Sequence, residues 1–272
     1  MYKFDFVAPR TAAEAVALLQ ERGPGGKLLA GGTDLLLQIK ARVAKPAYLV
    51  DLSHVSELAR IEDRPDEGLF VGSMVRLRAI QLSSLLNERC RIVVDGAKLV
   101  GSIQIRNLAT LGGNLCNAAP SADVAPPLVA AGACAEILGP SGRRRVPLDD
   151  FFVGPRRTIL APGELLLGVL IPEAPPRSGG NYLRHTPRKE MDIAVVGVGA
   201  ILTLEDGYCA AARISLGAVA PTPMRARQAE AMLAGQRLSA GLIKEAGEAA
   251  AEEARPISDV RGSAEFRRHL VA

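Results

Sequence analysis

Two short glycine-bearing stretches carry the most chemistry in this chain: Ala30-Gly31-Gly32-Thr33-Asp34 and, roughly 80 residues later, Thr110-Leu111-Gly112-Gly113-Asn114-Leu115. Each sets a glycine pair among small hydrogen-bonding side chains. Glycine lets the main chain approach a bulky anion closely, and successive backbone N–H groups in such a turn form a concave anion site. One such turn identifies nothing, because paired glycines serve many tight turns. Two in one chain favour a phosphate-bearing ligand cradled by backbone donors.

Other sources of chemistry are weak. Gly26-Lys27 is followed by Leu28, so no Ser or Thr is placed to hold magnesium and nucleotide hydrolysis is disfavoured. Gly197-Val198-Gly199 follows a strand-like run, but Leu202 takes the third glycine position of a dinucleotide fingerprint, and a buried strand is expected there. No Gly-x-Ser-x-Gly is present, and His54, His185 and His269 are far apart and form no ligand spacing. Cys90, Cys116, Cys134 and Cys209 are separated by 26, 18 and 75 positions, with no C-x-x-C pair for zinc or an iron–sulfur cluster. Buried, reduced thiols are expected.

Periodicity supplies the elements that position these groups. Phe4 and Phe6 alternate with polar neighbours as in a strand, and Thr11-Ala12-Ala13-Glu14 is a capping box opening a helix that ends near Gly23. Residues 27–30 form a short strand before the first glycine turn and 35–39 a helix after it. Strands are expected at 48–52 and 69–72, and a helix at about 79–86. Residues 100–123 carry few charges and many Gly, Asn, Ser and Thr, groups costly to bury unless something bonds to them. An apolar segment follows at 129–138, Arg143-Arg144-Arg145 reads as a solvated turn, and 164–172 as a strand stopped by Pro172. Proline and glycine crowd 174–180, the best linker candidate, which places a boundary near 175. Beyond it, strands at 193–204 and 209–219 join through a hairpin at Asp206-Gly207, and helices follow at about 225–233 and 239–254, the second capped by Ser239.

With 272 residues, 48% hydrophobic and 23% charged, the chain can bury one large core or two packed domains, which excludes a disordered chain, a fibrous repeat and a disulfide-stapled miniprotein. The net charge of +4 is spread among alternating acids, and with no Trp, four Tyr and six Phe there is no basic and aromatic footprint for nucleic acid. No apolar run has the length of a membrane span, and Met1-Tyr2-Lys3-Phe4-Asp5-Phe6 lacks the pattern of a secretory signal, so a cytoplasmic protein is expected. These readings end at a soluble α+β protein.

The motifs together are more specific. The chain resembles the FAD-binding (medium) subunit of the molybdenum hydroxylases, the group of xanthine and carbon monoxide dehydrogenases. The resemblance rests on Ala30-Gly31-Gly32-Thr33-Asp34-Leu35, on Gly101-Ser102-Ile103-Gln104-Ile105-Arg106-Asn107 running into Thr110-Leu111-Gly112-Gly113-Asn114, and on Pro120-Ser121-Ala122-Asp123. Glu164-Leu165-Leu166 ahead of Ile171-Pro172, and Arg188 before Met191-Asp192-Ile193-Ala194, continue it in family order over essentially the whole chain. It implies an α+β architecture. A two-part FAD-binding domain of the vanillyl-alcohol-oxidase (PCMH) type would span 1–175 with its subdomains split near 55, and a smaller C-terminal α+β domain would span 176–272.

By position, the resemblance implies that backbone around Leu28, Leu29, Ala30, Gly31, Gly32, Thr33, Asp34 and Leu35, and around Thr110, Gly112, Gly113 and Asn114, cradles the pyrophosphate. Val100, Ile105, Ala109, Ala118 and Ser121 join the FAD site. Asp123 accepts from the ribose or adenine end, as a carboxylate suits hydroxyl donors. Leu166 packs by the adenine or ring edge, and Arg184, where relatives often carry lysine, lies near the isoalloxazine. No catalytic or metal-binding residue is implied.

The same resemblance implies a relay. A molybdopterin large subunit oxidises the substrate, an iron–sulfur small subunit with two [2Fe-2S] clusters conducts electrons, and FAD on this chain passes them to NAD, a quinone or another acceptor. A heterotrimer or a dimer of heterotrimers follows. The alternatives are a stand-alone FAD-dependent reductase and a flavin-less scaffold subunit.

Overall fold

The computed structural model describes residues 3–188 and 191–272. Met1 and Tyr2 of the N-terminal pattern discussed above lie outside the described residues. The chain begins with strand β1 (Asp5–Val7), helix α1 (Ala12–Arg22), strand β2 (Gly26–Leu29), helix α2 (Leu35–Lys40) and strand β3 (Tyr48–Asp51). Thr11 caps α1 by accepting from the Glu14 N–H at 3.1 Å, while the Glu14 carboxylate reaches back to the N–H of Arg10 rather than Thr11. β1 and β2 flank β3 in a parallel three-stranded sheet. The end of β2 thus projects the first glycine turn from the edge of a small sheet.

The next sheet is antiparallel, in the order β4 (Ile61–Arg64), β5 (Gly68–Gly72), β10 (Leu165–Ile171), β6 (Cys134–Gly139) and β7 (Gly142–Pro147). Both of its faces are covered. Along β10, Leu165, Leu167 and Leu170 pack toward α1 and the N-terminal sheet, whereas Leu166, Val169 and Ile171 join the helices on the other side. The period-two alternation of a strand serves two cores here, so the strand reads as a continuous apolar run.

Those helices are α3 (Leu77–Leu82), α4 (Ser84–Arg89), α5 (Arg91–Lys98), α6 (Ile103–Arg106), α7 (Leu111–Asn117) and α8 (Ala125–Ala130). A short α9 (Leu148–Phe151) and a ribbon of β8 (Phe152–Gly154) with β9 (Arg157–Thr158) lead into β10. The last part is an antiparallel sheet of β11 (Ser178–His185), β12 (Val196–Glu205), β13 (Tyr208–Gly217) and β14 (Met224–Arg225). It carries α10 (Arg227–Leu233), α11 (Ala240–Glu253) and α12 (Ala264–Val271) around a third core rich in alanine.

Several expectations change. The single helix expected at 79–86 is two, because Ser83 leaves helical geometry and its hydroxyl caps α4 through the Leu86 N–H. Arg143–Arg145 form no turn: they lie on edge strand β7. Arg144 grips Glu164 there, and Arg145 joins Arg64 on Glu136, a buried carboxylate that needs both partners. Ser178, Gly179 and Gly180 belong to β11, paired with β12 along its whole length, so the irregular stretch is shorter than 174–180. Gly197-Val198-Gly199 lies within β12 as a strand. Of the cysteines only Cys209 is buried; Cys90 and Cys134 are half-buried and Cys116 is exposed, all four as free thiols.

Candidate functional site

A cleft of about 440 Å³ opens where the turn after β2 meets the segment from Val100 to Asn117. One wall carries Leu28, Ala30, Gly31, Gly32, Thr33, Asp34 and Leu35; the other carries Val100, Ile105, Ala109, Thr110, Gly113 and Asn114. The two glycine stretches therefore face one another across one cavity, of a size that holds a small-molecule cofactor.

Within each pair the glycines divide the work. A Cβ on Gly31 would lie 2.0 Å from the Leu108 carbonyl oxygen, so only glycine lets the two walls touch there. Gly32, with φ at +70°, turns the chain so that its carbonyl accepts from Leu36 and starts α2. Gly112 packs its Cα on Ser73, where a Cβ would come within 2.5 Å, and is buried away from the cleft; Gly113 faces the cavity.

The donors differ between the walls. Among the described residues, the N–H groups of Gly31, Gly32, Thr33 and Asp34 find no hydrogen-bond acceptor, so four successive donors stand open. The second stretch is the first turn of α7 and not a free loop. Its N–H groups are spent inside the protein: Leu111 on Val75, Gly112 on Ser73, Gly113 on the Thr110 hydroxyl oxygen and Asn114 on the Thr110 carbonyl. The main-chain donors expected at 111–114 are therefore already taken. Asn114 lies on this wall, and its Oδ1 is buried with no partner among the described residues. An orphaned buried acceptor is costly unless a donor fills the space beside it.

Seven of the expected site residues lie off the cleft lining. Leu29 ends β2, Gly112 packs on Ser73, and Ala118 closes α7 in the left-handed region with its carbonyl bonded to the Arg156 N–H. Ser121 opens onto a different cavity, beside Ile193, Ala194 and Arg267. Leu166 points into the helical core and not toward the cleft. Asp123 and Arg184, expected at different ends of the cofactor, are instead paired with each other: Arg184 Nη1 donates to Asp123 Oδ2 at 2.7 Å and to the Leu99 carbonyl at 2.9 Å. Two side chains in contact cannot serve opposite ends of a dinucleotide. Tyr182 donates to Asp123 Oδ1 at 3.0 Å and completes a buried triad. Burial drives the Asp123 carboxyl up from 3.8 to about 6 even though Arg184 and Tyr182 favour the charged form. It also holds the Tyr182 phenol well above its ordinary value.

The cleft also gathers residues to which the sequence assigned no role. Lys27 and Gln38 join the first wall, and Glu164 also lines the cleft, clamped by Arg144 at 2.7 and 2.8 Å and by the Ala161 N–H. That arginine keeps the Glu164 carboxyl below its ordinary range. Cys116 and Asn117 extend the second wall. A helical reading of 111–117 would have found Asn117, since 110, 113, 114 and 117 share one helix face.

The comparisons with known proteins agree with this geometry. Residues 2–174 match the family described as "FAD binding domain in molybdopterin dehydrogenase", and residues 181–272 match "CO dehydrogenase flavoprotein C-terminal domain". The carbon monoxide dehydrogenase medium chain of Afipia carboxidovorans is 35% identical over 97% of this chain and 91% of its own length. The xanthine dehydrogenase FAD-binding subunit of Escherichia coli is 34% identical over 98% of this chain and 93% of its own. A solved carbon monoxide dehydrogenase of Hydrogenophaga pseudoflava, which lacks the Mo-pyranopterin moiety of its cofactor, superposes with a TM-score of 0.95 at 32% identity, over 99% of this chain and 93% of that one. Both matched descriptions cover the site and the C-terminal sheet, and so the chain belongs to the molybdenum hydroxylase flavoproteins, as an FAD-binding medium subunit of an oxidoreductase complex.

Proposed function

We propose that this chain holds FAD in the cleft between the Gly31–Asp34 turn and α7, and serves as the electron-transfer subunit of a molybdenum hydroxylase complex. The observation that carries this reading is the set of four open N–H groups at Gly31–Asp34 on one wall of the cleft, opposite the wall that carries Gly113 and Asn114. The donors suit the pyrophosphate oxygens, with Lys27 adding a positive charge on the same wall. When bound, FAD supplies the exchange between one-electron and two-electron carriers. This chain's residues bind and orient it: the glycine turn fixes the phosphates, Gly113 leaves room, and Val100 and Ile105 give an apolar wall that keeps water out.

On this reading electrons arrive from [2Fe-2S] clusters of a small subunit, after substrate oxidation on a molybdopterin large subunit, and leave to NAD, a quinone or another acceptor. The assembly is a heterotrimer, or two of them paired, and works in the cytoplasm, where its four free thiols stay reduced. Asp123 and Arg184, joined to each other and to the Leu99 carbonyl next to Val100, belong to the wider site.

The purified complex, reconstituted with FAD, should show flavin absorbance that bleaches when the substrate of the molybdenum subunit is added. Absence of flavin absorbance after reconstitution would refute the proposal and leave a scaffold role. Turnover by the isolated chain with a nicotinamide reductant and its own substrate would favour a stand-alone reductase.

A further inference from the structure

A second cavity, of about 470 Å³, lies between the C-terminal sheet and the first domain, and it shares no lining residue with the FAD cleft. Strand register builds its sheet side: Ser178 pairs with Thr203 and Gly180 with Ile201, while Thr203 also pairs with Ala211 and Ile201 with Arg213. All six line the cavity. Ser178, Gly180 and Ala211 are small, so the sheet does not fill the space itself. The first domain contributes Ile92 of α5 and Ile171 at the end of β10.

Arg213 sets the chemistry of this cavity. From β13 it donates through Nε to the Ala130 carbonyl and through Nη2 to the Val129 carbonyl, both at 2.9 Å, and so caps the end of α8. A guanidinium has five N–H donors, which leaves three over. No carboxylate pairs with it among the described residues, for Asp149 and Glu230, whose charges reach it, are held by Arg225. Burial, with the like charge of Arg225, pulls the Arg213 guanidinium below its ordinary range. The other charged groups at the cavity are answered or solvated: Arg89 holds Asp63 at 3.1 Å and Glu173 at 3.4 Å, Arg91 faces Asp95 at 3.9 Å, and Glu88 is exposed. Ser178 and Thr203 share one hydrogen bond at 2.7 Å, so one hydroxyl proton of the pair is left to donate.

We propose that this cavity binds a small organic carboxylate with an apolar body, the carboxylate on Arg213 and the body against Ile92, Ile171 and Ile201. A half-buried guanidinium with donors to spare and no countercharge favours an anion, and a carboxylate matches its planar fork at two points. The isoleucine walls select against a fully hydrated anion such as inorganic phosphate, which would shed water there without gaining polar partners. An apolar cavity with a few convergent polar groups is the common form of a small-molecule site. Because its walls come from both the first domain and the C-terminal sheet, a guest ties the two together and stabilises the folded chain by mass action.

The test uses the full-length chain saturated with FAD and titrated calorimetrically with benzoate and hexanoate, each beside its neutral amide. At least one carboxylate should bind with a Kd below roughly 1 mM, and its amide about tenfold or more weakly, the loss of a charge-assisted hydrogen bond. The unfolding temperature should rise with the concentration of that carboxylate. Arg213→Met should abolish the preference for carboxylate over amide, whereas Arg213→Lys should keep part of it. Arg213→Met also loses the cap on α8, so a second variant, Ala211→Phe, fills the cavity from β13 and leaves that cap in place. It should weaken carboxylate and amide alike by about tenfold or more, and FAD affinity should stay within about twofold in every variant. No binding of either carboxylate by about 10 mM overturns the proposal, and so does binding that Arg213→Met and Ala211→Phe both leave unchanged. A wild-type chain that takes up no FAD sinks the reading of the cleft and not this one, since the same titrations are then read on the flavin-free chain.

Discussion

Gly113 and Ala30 face one another across the floor of the cleft: a Cβ on Gly113 would sit 3.8 Å from that of Ala30 and 3.0 Å from the Thr110 hydroxyl oxygen. Gly113 has ordinary helical geometry, so a larger side chain strains the ligand space and not the backbone. Gly113→Val should therefore abolish flavin absorbance while the circular dichroism melt moves by only a few degrees. A variant that retains FAD would place the flavin elsewhere. Cys116 offers a second test at this scale. Its side chain is exposed where it lines the cleft, yet the protein mass around the thiol disfavours its charged form and pushes it up to about 12. Exposure alone predicts fast alkylation, but reaction needs the thiolate. Cys116 should react slowly with iodoacetamide at neutral pH, slower still with FAD bound, as mass spectrometry of the modified peptide would show. Rapid labelling that FAD does not slow would remove Cys116 from the ligand wall.

Strand β10 carries the expected motif while turning Leu166 away from the cleft lining. Its alternation sends Leu166 into the helical core, so Leu166→Ala should cost about 3 kcal/mol in a denaturant titration, as a buried truncation does. FAD affinity should be unchanged, and a parallel loss of affinity would restore Leu166 to the ligand. Elements with strong periodicity or caps were legible from sequence: α1 with Thr11, the β12–β13 hairpin at Asp206-Gly207, and α11 with Ser239. Those decided by tertiary contact were not. Helix α5 carries Val93, Val94 and Gly96, poor helix formers, and Gly96 is there because a Cβ would lie 2.5 Å from the Asp123 carbonyl oxygen. Strand β11 opens Ser-Gly-Gly, which reads as linker until β12 supplies its partner. The cleft shows the same division. Its first wall follows from the glycine turn, whereas Glu164 depends on Arg144 from another strand, and the Asp123–Arg184 pair joins residues 61 positions apart.

Three apolar cores are stacked along the molecule, the middle one sharing its sheet with the first and touching the last through Tyr182 and Ile201. Asp123 sits at that second junction, and its titration should therefore report on how the whole chain holds together. Its carboxyl stands at about 6 when folded and near 3.8 otherwise, burial outweighing Arg184 and Tyr182. Between those values the folded chain holds a proton there that the unfolded chain has released, so the unfolded state binds fewer protons and stability must fall as pH rises, by up to about 1.4 kcal/mol per pH unit. The carboxylates of Glu164, Asp192 and Asp259 are shifted down by their partners and pull the opposite way. Comparison of wild type with Asp123→Asn cancels them, because both proteins carry all three. Urea unfolding of the two between about pH 4 and 7 should show wild type losing ground to the variant as pH rises, with the difference levelling off once the carboxyl is ionised in both states. A difference that is flat across this range would mean that water reaches Asp123 and that the joint between the cleft wall and the C-terminal sheet opens in solution.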